Sequence, residues 1–170
     1  MIKVLPLKED LKKDKCKPYY MLSITIGHGE YCHDAEVDHT MIIDNEKAKG
    51  KNLLSYESKY NYLTQSKAEE IYKFFHKILK EDRKYEDTHS DGKTYEYKVD
   101  HILLNDGPKE SWHCKYSAMT KQEFEWFKKF YERYEISLLQ PEVDYNWYGI
   151  IDVNIYYIDE DYKKHDCEVI

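Results

Sequence analysis

The chain has 170 residues, which suits one domain spanning residues 1–170 that buries a core without metal or disulfide support. Hydrophobic residues make up 41% and charged residues 35% of it, a balance that excludes an intrinsically disordered chain. The net charge of −7 argues against direct nucleic-acid binding, and the sequence has no run of about 20 apolar residues for a membrane helix.

Cysteine usage indicates the compartment. The four cysteines, Cys16, Cys32, Cys114 and Cys167, show neither a CxxC spacing nor the density of a disulfide framework. Reduced thiols of this kind are typical of the cytosol. The first residues also lack the apolar core of a secretory signal. We therefore expect a cytoplasmic protein.

The first part of the chain predicts a basic lead-in and then a hairpin. Residues 1–18 are basic and irregular. Apolar residues alternate with period two over residues 19–26 and again over residues 35–43, which predicts two strands. Gly27 and Gly29 interrupt the first run, so a loop joins the two strands.

Two capping boxes predict the starts of two helices. At residues 66–69 and 120–123, a Ser or Thr precedes a Glu by three positions, so that each side chain can bond a free amide of the first turn. Apolar residues at helical spacing follow both boxes: Ile71, Phe74, Phe75, Ile78 and Leu79, and then Phe124, Phe127, Phe130, Tyr131 and Tyr134. We expect the first helix to end near Arg83 or Lys84.

Three further strands are predicted. Residues 94–104 and 111–118 alternate on either side of a turn at residues 105–109, which predicts a second hairpin. Residues 145–158 predict a long final strand. Residues 159–170 are acidic, and we expect them to form an edge extension or a tail.

The predicted order of elements is strand-strand-helix, strand-strand-helix, strand (ββαββαβ). Each helix has one apolar stripe, and both stripes are most simply buried against one face of a sheet. We therefore predict an α+β fold: a mostly antiparallel sheet of about five strands with two helices packed on one face.

The acidic residues are concentrated in two segments that are distant along the chain. Residues 30–46 contain six acids and no lysine or arginine, and residues 142–170 contain eight acids and two lysines. If their strands are neighbours, they form one acidic face that also bears some of the 18 tyrosines. Such a face attracts a basic partner and speeds its docking. The alternative is that a solvated sheet face simply carries charge.

The predicted contact residues are outward-facing or flanking residues of these strands. They are Glu36, Asp38, Asp44, Asp152, Tyr156, Asp159, Glu160 and Asp161. Their carboxylates would pair with Arg or Lys, and the tyrosine would supply desolvated contact area. The expected partner is a larger protein with a basic surface, for example a nuclease. We expect no direct nucleic-acid binding, no membrane binding, and a monomer or a homodimer.

The sequence contains no familiar catalytic motif. G-x-S-x-G, the P-loop and G-x-G-x-x-G are all missing, so we expect no catalytic residues and no cofactor. The expected function is a non-catalytic inhibitor that blocks the nucleic-acid-binding surface of its partner. Small, acidic, motif-free proteins of this kind include phage anti-defence proteins, among them anti-CRISPR proteins, and toxin-immunity proteins. This is an analogy of class and not of recognised residues.

A loop with histidine and cysteine supports an alternative function. His28, Cys32 and His33 are good zinc ligands by type, although their spacing matches no closed zinc site. A metal bound by this loop would suit a small zinc-dependent hydrolase. His113 and Cys114 are adjacent, and in a strand they would point to opposite faces, so they do not predict a nucleophile and its base.

Overall fold

The computed structural model of the chain describes residues 16–49, 62–105, 107–138 and 147–169, with the backbone alone for residues 134–138. The strands are β1 (Tyr19–His28), β2 (Ala35–Ile43), β3 (Tyr62–Leu63), β4 (Lys84–Thr88), β5 (Thr94–Lys98), β6 (Ile102–Leu103), β7 (Tyr148–Ile158) and β8 (Lys164–Asp166). The helices are α1 (Gln65–Lys80), α2 (Glu110–Ser117) and α3 (Lys121–Leu138), and a 3₁₀ turn, Glu30–Cys32, joins β1 to β2. In these parts of the chain no helix is long and apolar enough to span a membrane.

Strand β1 lies at the centre of the main sheet. The strands follow one another as β3-β2-β1-β7-β6, and β8 pairs with a further stretch of β7. β1 runs antiparallel to both neighbours, with Thr25 opposite Asp38 of β2 and Asp152 of β7. The short β3 runs parallel to β2. The predicted α+β fold with a mostly antiparallel sheet is confirmed.

The hydrophobic core lies between one face of this sheet and two helices. Leu22, Ile24 and Ile26 alternate along β1 and are fully buried. The two helices contribute Ala68, Ile71, Phe75, Ile78 and Leu79 from α1, and Phe124, Phe127, Phe130 and Tyr131 from α3. Burying one such large side chain contributes about 1.5–3 kcal/mol, so the helical stripes hold both helices on this face.

The predicted second hairpin is wrong, because its second strand is the helix α2. Trp112 and Tyr116 lie one helical turn apart, with ring centroids separated by 4.9 Å. His113 and Ser117, also one turn apart, are fully buried. Apolar residues at i, i+2 and i+4 fit a strand, but i and i+4 also lie one turn apart in a helix. In α2 the buried positions are polar, so the apolar residues alone predicted a strand.

The region predicted as one strand over residues 94–104 forms two strands in two sheets. β5 pairs with β4 in a separate two-stranded sheet, with Tyr97 opposite Tyr85. β6 pairs with β7, with Ile102 opposite Ile150. The chain between the two sheets passes through Asp100 and His101, which are not part of a strand.

Helix α1 begins and ends earlier than predicted. Its N-terminal cap is Thr64, whose Oγ1 accepts the amide of Lys67 at 3.2 Å. The capping box predicted at residues 66–69 is therefore wrong, and the helix starts at Gln65. It ends at Lys80, and the following residues enter β4.

The C-terminal segment forms an edge extension of the sheet. β8 pairs with β7, with His165 opposite Tyr157. At the other end of the chain, the amide of Cys16 donates to the carbonyl of Glu160 at 3.0 Å. Residues 1–15 of the predicted lead-in and residues 145–146 of the predicted final strand lie outside the described residues.

A largely buried ion pair joins the start of α3 to the start of β4. Arg83 donates hydrogen bonds of 2.9 Å to both carboxylate oxygens of Glu123, and the two side chains are only 14% and 12% exposed. Glu123 also accepts the amide of Thr120, while the Thr120 hydroxyl accepts the amide of Glu123, which confirms the second capping box. The bonds from Arg83 lower the pKa of Glu123 from its usual 4.5 to about 2.

Replacing Glu123 by glutamine should lower the free energy of unfolding by about 2–3 kcal/mol at neutral pH, because the largely buried Arg83 charge loses its two-bond carboxylate partner and keeps only the half-exposed Glu81. Because its pKa is lowered in the folded state, the Glu123 carboxylate stabilises the fold above pH 4.5. This contribution is lost as the pH falls toward about 2. The difference between wild type and Glu123→Gln should therefore shrink across that window. Urea unfolding at a series of pH values measures it.

The matched control is Glu125→Gln, at an exposed position of the same helix. It should change the free energy of unfolding by less than about 0.5 kcal/mol. An equal loss in both variants, or a Glu123→Gln effect that does not change with pH, would contradict the assigned role of the ion pair.

Candidate functional site

The two acidic segments meet on the outer face of the sheet, which is the face opposite the helices. β2 and β7 both pair with β1, so the acids of both segments flank the same strand. Asp38 and Asp152 lie opposite Thr25 from its two sides, which separates their Cα atoms by about 10 Å at ordinary strand spacing. Glu36 lies in the neighbouring row, opposite Gly27. The register thus brings the two segments onto one surface.

Tyr156 lies further along the outer face, among the same acids. It is half-buried and lies opposite Met21 on one side and Asp166 on the other. Burial raises the pKa of this phenol, and three carboxylates around it, those of Asp166, Asp152 and Asp38, raise it further. The phenol therefore lies in a negative field built from both segments.

Lysines of the chain itself balance part of this negative charge. The ammonium of Lys80 lies 3.1 Å from the Asp152 carboxylate, and that of Lys164 lies 3.9 Å from the centre of the Tyr156 ring. Hydrogen bonds within the sheet and the Lys80 ammonium lower the pKa of Asp152 in spite of its burial. Three exposed acids of the outer face have no lysine or arginine partner among the ion pairs between described residues: Glu36, Asp38 and Asp166. These three are called the open acids below.

Other predicted contact residues hold turns at the end of the sheet where β1 begins. Asp44 accepts two backbone amides at 3.1 and 3.0 Å. Asp159 accepts two at 2.8 and 2.9 Å and also bonds to His165 at 2.7 Å. The pKa of both carboxyls is lowered, chiefly by a backbone amide for Asp44 and by His165 for Asp159. Glu160 and Asp161 are exposed residues of the second turn.

The structure therefore divides the eight predicted contact residues into two groups. Glu36, Asp38, Asp152 and Tyr156 share the outer face, whereas Asp44, Asp159, Glu160 and Asp161 lie at its end. Asp166 also lies on the outer face and was not predicted. Its one signal in the sequence was its place in the acidic C-terminal segment, because its position depends on the pairing of β8.

The loop between β1 and β2 folds back over the outer face and buries Cys32 completely. A Cβ atom on Gly27 would overlap the Cys32 carbonyl oxygen, so the turn needs this glycine. One on Gly149 would lie 2.7 Å from the Ile102 carbonyl oxygen and 3.3 Å from the Cys32 sulfur, so the turn also packs closely on Gly149. Burial raises the pKa of the Cys32 thiol to about 12, which keeps it protonated. His28 is buried on the opposite side of β1 from Gly27.

The structure does not bring the three residues of the predicted metal loop together. His28, Cys32 and His33 do not form a three-ligand group in the described structure. His33 instead meets two residues of the connection between β5 and β6: its Nε2 lies 3.0 Å from Asp100 Oδ2. The Nδ1 of His101 lies 2.6 Å from Asp100 Oδ1.

His33, Asp100 and His101 are called the His–Asp–His cluster below. Their ligand-type atoms all lie within 4.8 Å of one another. The bond to His101, followed by that to His33, lowers the pKa of Asp100, so this carboxyl is ionised at neutral pH. Local sequence does not predict the cluster, because 67 residues separate His33 from Asp100 and because the alternation over residues 94–104 predicts one strand that runs through Asp100 and His101.

Aromatic side chains form a second exposed surface near the 3₁₀ turn. Tyr31 and Trp112 are 58% and 37% exposed. Trp147 lies between them, with ring centroids 5.9 Å from Tyr31 and 6.5 Å from Trp112. This surface therefore contains Tyr31 and two tryptophans, Trp112 and Trp147.

Comparisons with known proteins add no functional assignment. No protein-family model, no curated protein and no solved structure matches this chain. Any function proposed for it therefore rests on the geometry and charge of its own residues.

Replacing Gly27 by alanine should lower the free energy of unfolding by about 2–3 kcal/mol, because the added Cβ overlaps the backbone of Cys32. The control is Gly92→Ala: Gly92 has φ +78°, but a Cβ there meets no atom within 4 Å, so its cost is only about 1 kcal/mol. Thermal and urea unfolding compare the two variants. Equal losses would contradict a close contact between the turn and Gly27.

Proposed function

We propose that this chain is a non-catalytic inhibitor whose acidic outer face covers a basic, nucleic-acid-binding surface of a larger protein. The observation that carries the proposal is the shared register of Asp38 and Asp152 across β1, which joins two distant acidic segments into one face. A sheet face holds its side chains on a rigid backbone, so a partner meets them already ordered.

The charge of the outer face favours a partner rich in arginine and lysine. The open acids project from β2 and β8 and have no lysine or arginine partner among the described ion pairs. Carboxylates of this kind steer a basic partner toward the face and pair with guanidinium or ammonium groups on contact. Tyr62 and Tyr156 are half-buried and lie on either side of Ile42 and Met21, which are opposite each other on β2 and β1. Both tyrosines supply contact area that loses water on binding.

The class of partner follows from the same chemistry. An acidic face repels the nucleic-acid backbone and matches a groove that normally holds it, such as that of a nuclease. We propose phage anti-defence proteins, including anti-CRISPR proteins, and toxin-immunity proteins as the functional class. All four cysteines are free thiols, which agrees with the cytoplasm as the proposed compartment.

The double reversal Glu36→Lys/Asp38→Lys should weaken binding to an arginine-rich peptide at least about 10-fold at low ionic strength, because two open acids become repulsive. Wild-type affinity should itself fall steeply as salt is added, since exposed charges are screened. Fluorescence anisotropy of a labelled peptide measures both effects, and circular dichroism checks that the variant is folded.

The matched control is Glu125→Lys/Glu132→Lys, a reversal of equal charge at exposed positions of α3, away from the sheet face. It should change affinity by less than about 2-fold. Affinity that falls equally in both variants would indicate a net-charge effect and contradict a specific outer-face site. A physiological partner is then sought by capture on wild-type protein, and it should be lost on the Glu36→Lys/Asp38→Lys variant and should lose its own nucleic-acid binding when the inhibitor is added.

A further inference from the structure

The His–Asp–His cluster has the side chains and spacing of a metal centre. In a tetrahedral zinc site with bonds of about 2.0–2.1 Å, neighbouring ligand atoms are separated by about 3.3 Å. The two bonded pairs of the cluster are 3.0 and 2.6 Å apart, and every pair lies within 4.8 Å. Small side-chain rotations would therefore place all three ligands around one ion.

The backbone that carries His33 is held in an unusual conformation. Tyr31 and Cys32 both have positive φ, 54° and 65°, which is uncommon for residues other than glycine and costs of order 1–3 kcal/mol each. Backbone bonds close the loop, from Asp34 to His28 at 3.0 Å and from His33 to Glu30 at 3.2 Å. The buried Cys32 fixes the turn on the sheet, so the backbone position of His33 is determined by a rigid loop.

The opposite side of the cluster is equally well supported. Asp100 and His101 lie between Val99, whose amide donates to the Arg83 carbonyl at 2.9 Å, and Ile102, which pairs with Ile150 of β7. The two anchoring residues Val99 and Ile102 are 1% and 0% exposed. The three ligand-type residues thus project from two anchored backbones, which is the support that metal sites require.

Ligand chemistry limits the choice of ion. Two imidazoles and one carboxylate suit zinc and other divalent transition metals, whereas Mg²⁺ and Ca²⁺ prefer oxygen ligands. We infer that His33, Asp100 and His101 bind one divalent transition metal, with Zn²⁺ as the representative ion. His33 and Asp100 are both 54% exposed, so the remaining coordination positions face solvent and take water.

The test is isothermal titration of metal-free full-length protein with ZnCl₂. Wild type should bind one Zn²⁺ per chain, and His33→Ala and Asp100→Asn should each weaken the affinity at least about 10-fold. Both positions are half-exposed, so the variants should fold, and circular dichroism checks this. Bound Zn²⁺ should also raise the melting temperature of wild type but not of the variants. An excess of Mg²⁺ should not compete.

The matched control is His165→Ala. His165 is exposed and bonds to Asp159 at 2.7 Å, a histidine–aspartate pair that the described structure does not complete with a third ligand. This variant should keep wild-type affinity. Absence of saturable Zn²⁺ binding would overturn the inference and leave the cluster as two hydrogen-bonded pairs. Equal affinity of wild type and His33→Ala would overturn it as well, because binding would then occur elsewhere.

Discussion

Pairing of β1 along both of its edges is the constraint on which the proposed surface depends. Because β1 bonds to β2 on one side and to β7 on the other, acids far apart in the chain occupy neighbouring positions. A slip of one residue would turn a whole strand over. The buried side chains of Leu22 and Ile24 on the core side therefore also determine which acids face outward.

Internal charge balance then decides which of the acids are available to a partner. Asp44 and Asp159 bond to turn amides, and Asp152 has Lys80 beside it, so these carboxylates contribute to the fold itself. Glu36 and Asp38 are exposed and have no such cation among the described ion pairs. Net charge alone does not separate the two kinds of acid, because both carry the same formal charge.

The outer face and the His–Asp–His cluster share one structural origin at the end of β1. Gly27 and Gly149 let the 3₁₀ turn pack directly on the sheet, with Cys32 buried beneath it. The same turn is followed directly by His33 and, two residues later, by the acidic strand β2. Loss of this contact would disturb both surfaces, whereas the charge reversals and the histidine substitutions each change only one of them.

Local sequence patterns by themselves determined β1, β2, the end of β7, the helices α1 and α3 and the cap at Thr120, because period and capping are properties of neighbouring residues. They misassigned α2, where His113 and Ser117 form a polar buried stripe. Tertiary structure alone decided the strand order, the second sheet, the place of Asp166 and the meeting of His33 with Asp100. Each of these depends on a contact between residues far apart in the chain, and the free energy of such a contact leaves no trace in the periodicity of either segment.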